Sequence, residues 1–119
     1  MKRLFAGILL AFVPMAALAL NATDLNGRWI VTWLDNNSSN AISLASVGDR
    51  FSGTYTNDAG ASCTVSGNFL ATEDRISLQV VCPAWDIRME GVASPDGKII
   101  NGSYQAYTNS TGAFRMVRQ

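Results

Sequence analysis

The sequence predicts an all-β fold, an eight-stranded antiparallel up-and-down barrel, behind a cleaved signal peptide. Three observations lead there. Apolar and polar residues alternate with period two in short runs that recur about every dozen residues. Gly, Asn, Asp and Pro separate those runs, and no stretch sustains a 3.6-residue apolar period. The face patterns, aligned across the turns, put apolar positions opposite apolar positions, as a sheet closed on itself requires. The length of 119 residues fits one domain.

The first residues are read as a leader. Lys2 and Arg3 form a short basic start, and 4–20 is apolar apart from Gly7 and Pro14. Ala17 and Ala19 are small residues at the −3 and −1 positions of a cut after Ala19, with Ala22 as the alternative cleavage point. The division is therefore 1–19 signal peptide and 20–119 barrel domain. The implied location is the periplasm or the medium, with no membrane span after cleavage. Losing Lys2 and Arg3 leaves seven basic against nine acidic side chains, net −2. A basic footprint for nucleic acid is absent, so no nucleic-acid partner is expected.

Eight strands follow at about 27–34, 41–47, 50–56, 62–70, 75–82, 85–93, 98–107 and 112–118. Gly48-Asp49 is a two-residue hairpin signal that sets Ile42, Leu44 and Ser46 opposite Tyr55, Gly53 and Phe51. Across the turn at 71–74, pairing Leu70 with Arg75 sets Phe69 opposite Ile76, Gly67 opposite Leu78 and Val65 opposite Val80. Cys63 then faces Cys82, and an oxidising compartment makes that pair a disulfide. Trp85, Ile87 and Met89 alternate with Asp86, Arg88 and Glu90, whose charges read as a solvated outer ladder. Pro95-Asp96-Gly97 turns the chain into the seventh strand. Phe51 to Tyr55 is echoed by Ile100 to Tyr104, both strands bent at a glycine before an inward aromatic.

Composition excludes several chemistries. There is no His, hence no imidazole base, no Ser-His-Asp or Cys-His pair and no His-ligated metal. Two Cys are too few for a structural zinc site. No catalytic residue, metal or cofactor is assigned, and the chain is not expected to be an enzyme. Asn-x-Ser/Thr matches such as those at Asn36, Asn37, Asn101 and Asn109 are frequent by chance in so Asn- and Ser-rich a chain.

Leu25-Asn26-Gly27-Arg28-Trp29 resembles the Gly-x-Trp start of the first strand in lipocalins and avidins, the calycin barrels. Phe51-Ser52-Gly53-Thr54-Tyr55-Thr56 is similar to the third strand of avidins. The resemblance implies that a basic residue of the last strand, Arg115 or Arg118, packs over Trp29 and closes one barrel end. Biotin binding does not carry over. Val31 and Trp33 stand where avidins place Asn and Ser, and no acidic residue follows Asp96.

In an up-and-down barrel, alternate loops share an end. The segments 48–49, 71–74 and 95–97 are tight turns, whereas 35–40, 57–61, 82–84 and 108–111 are longer on average and rich in Asn, Ser and Thr. The second set nominates a working rim. Trp33, Tyr55, Trp85, Tyr104 and Tyr107 lie near strand ends that approach it and are the candidate ligand-binding residues. The expected function is binding of a small apolar or amphipathic molecule at this rim. The alternative is contact with an extracellular or periplasmic protein, such as inhibition of a protease or lysozyme by a packed barrel. An eight-stranded barrel interior either fills with side chains or holds one small ligand, and the alternation is the same in both cases.

Overall fold

The computed structural model describes residues 19–119, so the leader expected over 1–19 lies outside the described residues except for Ala19. The strands are β1 (Gly27–Trp33), β2 (Ser38–Val47), β3 (Arg50–Thr56), β4 (Ser62–Leu70), β5 (Arg75–Val81), β6 (Asp86–Ala93), β7 (Ile99–Ala106) and β8 (Thr111–Arg118). Each pairs antiparallel with the next, and β8 pairs with β1 to close the barrel. Closure leaves no unpaired edge among these strands.

The registers follow from the turns. Ile42, Leu44 and Ser46 face Tyr55, Gly53 and Phe51. Phe69, Gly67 and Val65 face Ile76, Leu78 and Val80. The Cys63–Cys82 disulfide sits one step further along the same face, with Cα atoms 4.5 Å apart. Backbone conformation explains the reversals: Gly48, Gly97 and Asp74 take left-handed φ values of 63°, 71° and 52°, which glycine adopts freely and Asp tolerates.

Two features differ from the sequence reading. A 3-10 turn, Ala22–Leu25, precedes β1 and packs against β2. β2 begins at Ser38 rather than near Ala41, because Asn37 turns the chain at φ 58° and the Asn36 Oδ1 accepts the Ser38 amide at 2.9 Å. The first rim loop therefore shrinks to 34–37, and with 57–61, 82–85 and 107–110 the rim loops are four or five residues each, close to the 71–74 and 94–98 turns opposite. Loop length does not distinguish the two ends.

Inward side chains fill the barrel. Trp29, Val31, Ile42, Leu78, Val80, Met89, Ile100, Phe114 and Met116 are buried together, and no charged side chain is fully buried among the described residues. Inward glycines let neighbouring strands approach. A Cβ on Gly53 would stand 1.8 Å from the Ser43 carbonyl oxygen, and one on Gly102 would stand 1.9 Å from that of Glu90. Backbone cannot yield as a side-chain tip can. Gly53→Ala and Gly102→Ala are each expected to destabilise by about 2 kcal/mol, as overpacking does, read from urea unfolding midpoints. Wild-type midpoints would disprove the tight bend at those positions.

Candidate functional site

The two ends of the barrel are built differently, and the difference is chemical. At the tight-turn end, the 3-10 turn folds across the opening. Leu25 is fully buried, and its carbonyl accepts the Trp29 indole N–H at 3.0 Å. The Arg118 guanidinium lies 4.7 Å from the centre of the Trp29 ring, a cation–π contact. Its N–H groups donate to the carbonyls of Asp24, Asn26 and Gly97. One side chain thus ties the 3-10 turn, the β6–β7 turn and the end of β8 together. Arg115 takes no part. It faces outward and donates to Asn101 Oδ1 at 3.1 Å across the wall. Period two decides between them, since Arg118 shares the inward phase of Phe114 and Met116 and is the cross-strand partner of Trp29, whereas Arg115 is out of phase.

At the opposite end no helix or strand of the described residues covers the opening, and aromatic rings fill it. Trp33 packs edge-to-face on Tyr104, Tyr55 and Phe114, with ring centres 4.9, 6.3 and 6.3 Å apart. Tyr55 packs edge-to-face on Trp85 at 6.0 Å. Such pairs add stability beyond the area they bury. Trp33 and Tyr55 are buried, while Trp85 and Tyr104 are half-buried. The disulfide anchors the neighbouring 82–85 loop.

Four of the five candidate binding residues are therefore brought together: Trp33, Tyr55, Trp85 and Tyr104. Tyr107 is not among them. It stands one position out of phase with Tyr104, is 60 % exposed, and lines an outer-wall groove with Asp86, Arg88, Gln105 and Asn109.

Polar groups cap the aromatic layer. Trp33 Nε1 donates to Asn40 Oδ1 at 3.0 Å. Asn40 Nδ2 donates in turn to Asp58 Oδ1 at 2.8 Å and to the Thr56 carbonyl at 3.2 Å. The Tyr104 hydroxyl donates to Asp35 Oδ2 at 2.8 Å. Asp35, Asn40 and Asp58 were not singled out by sequence. Their partners lie up to 69 positions away, and only the closed register brings them near.

Charge is distributed unevenly as well. Asp35 and Asp58 lie in the loops around the aromatic opening, which contain no Lys or Arg, while on the walls Asp86 and Glu90 are offset by Arg88 and Arg115. At the other end, Arg28, Arg50, Arg75, Lys98 and Arg118 offset Asp24, Asp49, Glu73, Asp74 and Asp96. The net negative charge of the barrel domain is therefore concentrated at the aromatic rim.

The rim tyrosines carry the same imprint. Burial pushes the Tyr55 hydroxyl above its ordinary value, opposed in part by the Trp33 indole and reinforced by the Asp58 charge. Tyr104 is raised by burial and by its bond to Asp35. Both shifts disfavour the phenolate in the folded state. Their contribution to stability is full below pH 10, the unfolded value, and is lost as pH rises through the higher folded values. Folding stability is thus expected to fall above about pH 10, and to fall less steeply in Tyr55→Phe. Chemical unfolding at a series of alkaline pH values measures this, and an unchanged slope in the variant would refute it.

No protein-family model matches the chain, and no curated protein matches it in sequence. Among solved structures, one described as a redesigned beta barrel superimposes with a TM-score of 0.60 at 12 % sequence identity. The match covers 85 % of this chain and 98 % of that one. At that identity the likeness speaks to the fold alone: this chain is a closed, all-β, eight-stranded antiparallel barrel carrying one disulfide.

Proposed function

We propose that the chain is a non-catalytic binding protein of the periplasm or medium. It uses the aromatic, acidic rim to hold a protein with a basic surface, in the manner of an inhibitor of an extracellular hydrolase. The carrying observation is the charge asymmetry: Asp35 and Asp58 lie over Trp33, Tyr55 and Tyr104, and no Lys or Arg stands in the rim loops. Carboxylates steer a cationic partner, and half-buried aromatic faces accept Lys or Arg side chains. Filling of the barrel mouth by Trp33, Tyr55 and Phe114 favours contact at the rim over a ligand held deep inside. The disulfide fits an oxidising compartment, and no helix of the described residues is long and apolar enough to cross a membrane. Kinship with the calycin barrels belongs to this proposal and is supported by the Arg118–Trp29 closure.

The second reading is a small apolar or amphipathic molecule seated on the same rings, favoured by the half-buried faces of Trp85 and Tyr104.

The test is inhibition and binding against a panel of secreted hydrolases, including a basic lysozyme and proteases, at low and high salt. Asp35→Asn combined with Asp58→Asn retains the hydrogen-bond acceptors and removes the rim charge. The combined variant is expected to weaken binding at least ~10-fold at low salt, mostly through the association rate. Native mass spectrometry of protein from its source that shows a bound small molecule, together with no hydrolase binding, would favour the second reading.

A further inference from the structure

We infer that the exported chain is processed at the Ala19–Leu20 bond, and that Leu20, Asn21 and Ala22 are retained as part of the barrel-end plug. The inference rests on the exported reading above and concerns the end opposite the rim. Exposure changes abruptly at this bond: Ala19 is exposed, whereas Leu20 and Ala22 are 8 % and 4 % exposed. Leu20 lies against the β6–β7 turn, its Cδ2 3.4 Å from where a Cβ on Gly97 would stand. The Asn21 amide donates to Asp24 Oδ2 at 2.9 Å, its carbonyl accepts the Asp24 amide at 3.0 Å, and its Oδ1 accepts the Thr23 hydroxyl.

A cut after Ala22 would delete two buried apolar side chains and all three bonds. The damage would propagate, because the Asp24 carbonyl whose position those bonds set is also an acceptor for Arg118, the residue stacked on Trp29. The peptidase's own preference agrees. A cut after Ala19 places Ala17 and Ala19 at the −3 and −1 positions, whereas a cut after Ala22 would place Leu20 at −3, where a small residue is required. The bond that suits the enzyme is thus the bond that spares the plug. The chemical event is hydrolysis of one peptide bond by water, giving a carboxylate on Ala19 and an ammonium on Leu20.

The full 119-residue chain, expressed in a bacterial host that exports it, is collected from the periplasm or medium. Its amino terminus is sequenced and its intact mass measured. The expected product begins at Leu20. A product beginning at Thr23 would overturn the assignment while leaving the exported reading standing. A chain retaining Met1 would overturn both. Two variants separate recognition from packing. Ala19→Leu is expected to lose the processed form rather than move the cut to Ala22. Leu20→Asp is expected to be cut at the same bond yet melt at least ~5 °C lower. An unaltered melting temperature would refute the role of Leu20 in the plug.

Discussion

Replacing Trp29 with alanine is expected to lower stability by about 4 kcal/mol. The indole is fully buried. It donates to the Leu25 carbonyl, which holds the 3-10 turn across the opening, and it underlies the Arg118 guanidinium. Truncation removes a large apolar volume and leaves that carbonyl and the cation without their partner. A domain of this size has only about 5–15 kcal/mol to lose, so the variant should unfold at low denaturant. Trp29→Phe retains most of the ring and part of the stack, and should recover about half of the loss. Denaturant titration followed by circular dichroism measures both. A Trp29→Ala protein within about 1 kcal/mol of wild type would mean that the end is closed by something else.

Removing the disulfide is the second large effect. Cys63 and Cys82 are 19 residues apart in sequence, and closing a loop of that length is worth roughly 3 kcal/mol through the unfolded chain. Cys63→Ala combined with Cys82→Ala should therefore melt roughly 15 °C lower. The loss should be local in its first consequences. The 82–85 loop carries Trp85, which packs on Tyr55, so the aromatic layer at the rim should loosen before the Trp29 end does. Hydrogen exchange on the double variant should show faster exchange in β5, β6 and the 82–85 loop than in β1. Uniform acceleration throughout the barrel would mean that the disulfide acts through the unfolded chain alone and does not hold the rim layer.

Much of this architecture is legible in the sequence because side-chain period and turn chemistry coincide. Gly48-Asp49 sets one register and the 71–74 turn sets another. The second carries its own check, since it must bring Cys63 opposite Cys82. Where no alternation exists, the strand is invisible: Ser38, Ser39 and Asn40 open β2 without an apolar residue. They read as loop until Asn37 is seen turning left-handed. The 3-10 turn at Ala22–Leu25 is too short for a period and follows directly on an apolar leader. Proximity to the rim groups Tyr107 with Tyr104, although period two alone places them on opposite faces. The acidic cap over the rings could not be read at all, because Asp35 meets Tyr104, and Asp58 meets Asn40, only across the closed sheet. Nor could the filled mouth, since a hollow barrel and a solid one alternate alike.

The plugged end, the aromatic layer and the acidic rim all depend on β1 meeting β8. Nuclear Overhauser contacts across that seam test it most directly. The registers Ile30 opposite Val117, Val31 opposite Met116 and Trp33 opposite Phe114 should give cross-strand contacts between those pairs, and the seam amides should exchange as slowly as those of β4 and β5. Absent cross-peaks, with the amides of β1 and β8 exchanging freely along their outer edges, would mean an open sheet with neither plug nor rim.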